Sequence, residues 1–584
     1  MGTNHRGAQN VKAAPTHQHR HARSSSGGSS SSTSLHATRS VYPPLSREVN
    51  TVAPTDIEYD AIIIGGGMGG LATAAKLVTQ GASVLVLEKY LLPGGSAAHF
   101  KRDGYTFDVG SSMMFGFGEE GTTNLITKAL AAVGKVIPTV PDATQVFYHL
   151  PKSAQFPQGL DVQVWRKYED FVTELVKRFP HEEDGIKAFY GECWMVFNSL
   201  NVLELKSLEE PRYLLGEFVK EPLACLTLAS FLTTNSGDVA RRHIKDPELL
   251  KFIDIECFIW STVNADMTPM INSGMVFCDR HFGGINYPVG GVGRLGEDMA
   301  QGISEHGGHV VYKANVKEIL TTGEGSSMTA TGVRLADGRV FKGKTIISNA
   351  TRWDTFENML GESKMPESER LFRLRYKKSP SFLSIHMGVR AGVLAAETDC
   401  HHIILEDWGK MEASRGTLFV SLPSLMDPQL APEGHHIVHA FTPDWIDNWT
   451  SLGPEEYERQ KEAVADELCA RLEAVFPGLQ AGTTFREVGT PRTHRKYLGR
   501  EDGTYGPIPS RRPLGMLSMP MNTTSIPGLY CVGDSTFPGQ GVNAVVFSGF
   551  SCAHRVLCDL GKEPTWPVLD AGYSKLLNWV RDSS

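Results

Sequence analysis

The sequence predicts an α/β fold in which one domain, assembled from separated stretches of chain, is interleaved with a second domain of mixed strands and helices. Three observations carry that expectation: a strand, glycine turn, helix and strand at residues 61–88, a strand running into small residues at 344–350, and a strand closing on Gly533-Asp534. At 584 residues the chain is too long for one simple core, so two or more domains are expected.

The first unit opens with the apolar strand Ala61-Ile62-Ile63-Ile64 and passes through Gly65-Gly66-Gly67-Met68-Gly69-Gly70 into a small-residue helix. It continues in Ser83-Val84-Leu85-Val86-Leu87-Glu88. This is the Rossmann order of strand, G-x-G-x-x-G turn, helix, strand and acid. In such a unit Gly65 makes the tight turn, and Gly67 lets the backbone approach a pyrophosphate facing the helix N-terminus. Gly70 lets the helix lie close on the strand. Glu88 is placed to accept hydrogen bonds from both hydroxyls of an adenosine ribose, which a 2′-phosphate would prevent, so NAD or FAD is expected rather than NADP. The competing reading, a glycine-rich turn between buried elements, does not account for the acid at the second strand's tip.

Upstream of this unit the composition changes. The first 47 residues hold six Lys or Arg, no Asp or Glu, and a Ser-rich run from Ser24 to Ser34. Such a segment cannot bury a core and is expected to be disordered. A basic, acid-free, Ser-rich leader without an apolar stretch matches an organelle transit peptide of plastid type better than a secretory signal. His17, His19 and His21 within it read as compositional. Losing the six positive charges takes the net charge from -8 to about -14, which argues against nucleic acid as a partner. Nine scattered cysteines without a CxxC pair suggest reduced thiols, with no zinc site or disulfide framework. No run of roughly 18 apolar residues offers a transmembrane helix.

After Glu88 comes a second glycine cluster, Pro93-Gly94-Gly95-Ser96-Ala97, then Gly104-Tyr105-Thr106-Phe107-Asp108-Val109-Gly110-Ser111-Ser112. Residues 131–284 read as mostly helical, as in the helically spaced Asp170 to Phe179 run ended by Pro180. Two parts are unusually apolar, Tyr213 to Leu232 and Phe252 to Trp260. Each is either a core helix, the reading residue type favours, or a surface that dips into a membrane interface. Tyr287-Pro288-Val289-Gly290-Gly291 opens another helix, followed by strands at 309–312 and 316–320 and an Asp337-Gly338 hairpin. Lys344 to Ala350 then returns the chain to the nucleotide domain. Alternating segments at 382–389, 418–422 and 437–441 suggest a second sheet. At the end, Leu529 to Ser535 and Pro538 to Ala544 precede a helix running to His554. A strand ending in Gly-Asp places a carboxylate on a ribityl chain, and the helix after Gly541 aims its N-terminal dipole at a flavin ring. FAD is thereby favoured over NAD. Asp534 has a competing role as a helix N-cap.

These motifs, together with Ile347-Ser348-Asn349-Ala350, resemble the phytoene desaturase and amine oxidase flavoprotein superfamily over nearly the whole chain after residue 57. Lys496-Tyr497-Leu498-Gly499-Arg500 and Gly503-Thr504-Tyr505-Gly506-Pro507-Ile508-Pro509 are similar to the carotenoid isomerases of plants, algae and cyanobacteria within it. Many relatives carry Arg after the Gly-Gly pair; here that position is Ser96, as in the isomerase subgroup.

The resemblance implies a discontinuous Rossmann-like FAD-binding domain with a mixed-sheet and helical substrate domain. The implied division is 1–52 leader and linker, 57–130, 285–350 and 500–584 FAD-binding, and 131–284 and 351–499 substrate-binding. It implies Gly65, Gly67 and Gly70 at the pyrophosphate, Glu88 at the adenosine ribose, and Gly95, Ser96, Gly110 and Ser111 on the flavin side. Val316 would lie near adenine, and Asp534, Val542 and Asn543 near the ribityl chain and ring. The implied activity converts poly-cis lycopene to all-trans lycopene with reduced FAD, in the plastid, at a membrane surface, with the reductant of the flavin left open. A desaturase or saturase acting on a similar polyene, and a non-catalytic prenyl-binding escort protein, are the competing readings. No catalytic acid or base is assigned. Asp254 and Glu256 would have raised pKa values if buried, although caps or surface positions suit them better.

Overall fold

The computed structural model describes residues 52–110, 112–118, 121–510 and 515–583, so the leader and Ser111 lie outside the described residues. The chain divides into two units, Met1–Arg47 and Glu48–Ser584, and both large sheets belong to the second.

The N-terminal strand of that unit, β1 (Glu58–Ile64), leads through the glycine turn into helix α1 (Met68–Thr79) and strand β2 (Val84–Leu87). The apolar residues of all three are buried: Ile62, Ile63, Leu71, Ala74 and Leu85 have no exposed surface. β1 is central in a seven-stranded sheet, parallel to β2 on one side and to Val340–Ser348 on the other. His309–Val311 extends the sheet beyond β2, and Leu529–Cys531 pairs in parallel with the C-terminal end of Val340–Ser348. Strands Val316–Thr322 and Thr329–Leu335 complete it as an antiparallel edge. Asp337-Gly338 forms the expected turn, with Gly338 at φ +90° and Val333 opposite Phe341. Because parallel strands end together, Ile64, Leu87, Ser348 and Cys531 bring their following loops to one edge.

The second sheet also has seven strands, in the order Thr483–Gly489, Ser381–Arg390, His435–Asp444, Leu418–Ser421, His401–Ile404, Thr144–Leu150 and Leu160–Trp165. The last two stand at the start of residues 131–284, a stretch that is mostly helical as expected, with helices from Tyr168–Arg178 to Met270–Phe282. Val146, Tyr148 and Leu150 alternate inward at 0–5% exposure, a two-residue period that the surrounding helices obscured. One face of this sheet, with Leu383, Ile385, Val420 and Val438, packs on helix Pro454–Val475.

The two apolar stretches separate in behaviour. Phe252 to Trp260 lies in helix Pro247–Ser261, where Phe252, Ile253 and Ile255 are fully buried, so it is a core helix. Tyr213 to Leu232 breaks at Pro222 into helices Pro211–Lys220 and Pro222–Phe231, and Val219 and Leu223 are each 79% exposed. Among the described residues no helix is long and apolar enough to cross a membrane. All nine cysteines are unpaired thiols.

Candidate active site

At the end of β1, Gly65 turns the chain with φ +97°, a conformation that a Cβ disfavours. α1 then starts with Gly67 at its N-cap, without a side-chain cap and with no acid in its first turn. Its leading N–H groups are left for an anion, and its dipole favours one. A Cβ on Gly67 would fall 2.8 Å from Asn349 Nδ2, and one on Gly70 would fall 2.4 Å from the Gly65 carbonyl oxygen. The second glycine cluster is tied to this turn, since the Gly94 N–H donates to the Gly66 carbonyl at 2.7 Å. Glu88 accepts from the Gly66 N–H at 2.7 Å and from the Tyr90 N–H at 2.6 Å. Burial raises the Glu88 carboxyl above its ordinary range, against the opposing effect of those two donors.

At the far end, helix Val542–Asp559 begins after Gly541, again with no side-chain cap and no acid in its first turn. Asn543 donates from Nδ2 to the Thr123 carbonyl at 3.0 Å, while its Oδ1 is buried without a partner. Asp534 follows Gly533 at the end of its strand and is ion-paired with Arg500. Between the two ends Asp108 is buried and accepts from Ser112 at 2.8 Å, Tyr287 at 2.9 Å and the Val292 N–H at 2.9 Å. It thereby clamps the Tyr105 to Gly110 segment to the Tyr287 to Gly291 segment.

A single cavity of about 880 Å³ is lined by Gly65, Gly67, Glu88, Gly95, Ser96, Gly110, Val316, Asp534, Val542 and Asn543. Gly70 stands behind it and acts through the close approach of α1 to β1, and Ser111 is outside the described residues. Two uncapped helix starts, a carboxylate at the tip of β2 and an orphaned amide oxygen at Asn543 along one continuous cavity fit a flavin dinucleotide.

The same cavity extends into an apolar arm that sequence reading did not resolve residue by residue. Phe115 meets Trp260 edge to face at 4.8 Å, and Phe419 stacks on Phe441 at 4.8 Å. Three buried histidines stand at or beside this arm. His386 Nε2 donates to the Asp108 carbonyl at 3.0 Å, and its ring stacks on His439 at 4.4 Å. His494 Nδ1 lies 3.2 Å from the Tyr505 hydroxyl. Burial pushes His386 down to about 3 and His494 to about 4, and holds His439 well below its ordinary value, so all three rings are neutral at pH 7. In register across the sheet, Glu487, His386, His439, Ser421 and His401 form one polar row. Each of the five lies on a different strand, so the row becomes visible only when the strands are joined in register.

Neither acid singled out in the apolar helix lines the cavity. Glu256 is no cap and no surface residue: it is fully buried, accepts from Arg280 Nη1 at 2.9 Å and is hydrogen-bonded by Tyr148. Asp254 accepts from the Ala265 N–H at 3.0 Å, and burial raises it to about 6. Asp142, Cys400 and His401 come together away from the cavity, with His401 Nδ1 3.1 Å from Asp142 and Nε2 3.7 Å from Cys400 Sγ. Both ring nitrogens are engaged there.

The chain matches the flavin containing amine oxidoreductase family over residues 68–557, and it belongs to that family. FAD is the cofactor, and the NAD alternative falls away. A relative from Arabidopsis thaliana, "Prolycopene isomerase, chloroplastic", is 58% identical over 525 residues, covering 90% of this chain and 87% of that protein. A phytoene desaturase (lycopene-forming) from Paracoccus sp. is 26% identical over 522 residues, 86% of this chain and 97% of that one. Among solved structures, an oxidoreductase from Methanosarcina mazei superposes with a TM-score of 0.56 at 18% identity, over 84% of this chain and 99% of that one. It shares the fold.

Proposed function

We propose that this protein is an FAD-dependent carotenoid cis–trans isomerase that converts poly-cis lycopene to all-trans lycopene without net redox change. The observation that carries the reading is the 58% identity to prolycopene isomerase across nearly the full length, on a chain whose cavity joins a dinucleotide cradle to an apolar arm. The first sheet serves as the cofactor domain, and the second, with the helices of residues 168–282, as the substrate domain.

Reduced FAD, when bound, supplies electron density that lowers the bond order of a conjugated double bond and so eases its rotation. The chain's own residues position the partners for that chemistry. Gly65 and Gly67 would admit the pyrophosphate, Glu88 would hold the adenosine ribose, and Val316 would lie by the adenine. Gly95, Ser96 and Gly110 would serve the flavin side. Asp534 would hold the ribityl chain, and the N-terminus of the Val542 helix would favour negative charge on the ring. Phe115, Trp260, Phe419 and Phe441 exclude water and align the polyene.

A hydrocarbon of this length resides in a bilayer, so the enzyme works at a membrane surface. Exposed Leu215, Phe218, Val219, Leu223 and Leu226 supply an apolar face on adjoining helices. The relatives' chloroplast designation and the acid-free leader support a plastid location.

The deciding experiment uses protein beginning at Val52, loaded with FAD, reduced anaerobically, and given poly-cis lycopene in liposomes. All-trans product of unchanged mass is expected. Product lighter or heavier by two hydrogens makes the protein a desaturase or saturase, and untouched substrate directs attention to a carrier role. Full activity with oxidised FAD overturns the electron-donation scheme.

A further inference from the structure

Helix Pro491–Leu498 ends on Gly499 at φ +66°, and this left-handed turn swings the chain so that Arg500 enters the cofactor cavity. Three contacts fix it there. Its guanidinium is ion-paired with Asp534, it stands 5.5 Å over the Tyr505 ring, and the following Glu501 N–H is held by Asp354 at 3.1 Å. Tyr505 is itself bonded by Ser96 and His494. The segment is pressed onto the strand end: a Cβ on Gly506 would lie 2.6 Å from the Asp534 carbonyl oxygen. That strand end in turn abuts the first turn of α1, since a Cβ on Gly69 would lie 3.4 Å from the Gly533 Cα.

A dinucleotide brings a pyrophosphate with two negative charges into a cavity already lined by the acids Glu88, Asp354, Glu487 and Asp534. The uncapped start of α1 offers roughly half a positive charge. Ser96 offers none. Among the described residues lining the cavity, Lys89, Arg102 and Lys317 are exposed to solvent, whereas the Arg500 side chain is only 18% exposed. A guanidinium keeps its charge under such burial and has five N–H donors, so one edge can hold Asp534 while others serve a phosphate.

We propose that Arg500 is a cofactor-binding residue whose guanidinium, held in place by Asp534 and Tyr505, offsets the charge of the FAD pyrophosphate. The inference rests on the FAD reading of the cavity, and it adds a residue that lies far in sequence from every glycine motif.

The test measures dissociation constants of apoprotein by fluorescence titration with three probes: FAD, ADP, which has the pyrophosphate without the flavin, and riboflavin, which has the flavin without phosphate. Arg500→Gln is expected to weaken FAD and ADP about tenfold or more while leaving riboflavin unchanged, the loss of one charge-assisted contact. Unchanged FAD affinity, or riboflavin weakened as much as FAD, overturns the proposal and leaves Arg500 as a counterion for Asp534. If Arg500→Gln does not fold, the wild-type protein still decides: FAD and ADP affinity must fall with added salt more steeply than riboflavin affinity, and equal slopes overturn the proposal. A wild-type protein that binds none of the three probes refutes the FAD reading itself.

Discussion

Gly67 and Gly70 stand three residues apart and do different physical work. A side chain on Gly67 meets the Asn349 amide at 2.8 Å and enters the cavity, whereas one on Gly70 meets the Gly65 carbonyl at 2.4 Å, inside the contact of α1 with β1. Gly67→Val is expected to abolish the yellow bound-flavin spectrum with little change in melting of the apoprotein. Gly70→Ala is expected to lower stability as well, by about 1–3 kcal/mol, as overpacked cores do; calorimetry of the two apoproteins separates these outcomes. Asp279 offers a residue-scale test in pH. It is buried, with only a weak Thr123 contact at 3.5 Å among the described residues, and burial raises its carboxyl to about 7. A carboxyl raised above its unfolded value stabilises the fold below about pH 4, and that contribution is lost as pH rises through 7. Asp279→Asn is therefore expected to gain stability at pH 8, on the order of a few kcal/mol, and little at pH 4. Equal effects at both pH values would show that the carboxylate stays ionised throughout.

At the scale of elements, helices Pro247–Ser261 and Met270–Phe282 are joined by a fully buried ion pair, Glu256 with Arg280, which also lies over Phe171 at 5.0 Å and Phe277 at 5.2 Å. Removing one partner strands the other charge in an apolar interior. Arg280→Met is expected to cost about 3–5 kcal/mol in denaturant unfolding, and adding Glu256→Gln to recover most of that. A double variant no more stable than the single one would assign the loss to packing of the arginine stem. Helices Pro247–Ser261 and Pro222–Phe231 show how composition misleads. The apolar run around Phe252 and the one around Leu223 look alike in composition, yet the first is core and the second is largely exposed. The difference lies in what the rest of the chain lays against each helix. The strand at 144–150 was hidden for a related reason, because its parallel partner, His401–Ile404, arrives more than 200 residues later, and the strand at 160–165 reaches the sheet only through its pairing with 144–150.

For the whole molecule, helix Pro211–Lys220, which carries exposed Val219, meets helix Pro567–Ser583, where Val568 and Trp579 are 91% and 65% exposed. Arg212 donates to the Pro564 carbonyl at 3.0 Å and Tyr573 to that of Leu208 at 3.0 Å, so the C-terminal segment is tied to the start of helix Pro211–Lys220. Val219→Glu with Leu223→Glu should leave the melting temperature within a degree or two, since both side chains are in water, and should lower flotation with liposomes severalfold. Unaltered flotation would count against a membrane role for this face.

The sequence by itself determined the glycine turn and its flanking elements, because each part is a local rule. A left-handed turn needs Gly65, a close helix needs Gly70, and Glu88 follows directly on β2, all within one continuous stretch of chain. Ten of the twelve residues inferred for the cofactor line one cavity, those beyond Glu88 reaching it from separate stretches of chain. Tertiary structure alone decided that Arg500 reaches Asp534, that Glu256 is neutralised by Arg280, and that His386, His439 and Ser421 stand side by side on three strands. Those contacts depend on sheet register and on which faces are covered, and neither is written in the spacing of residues along any one segment.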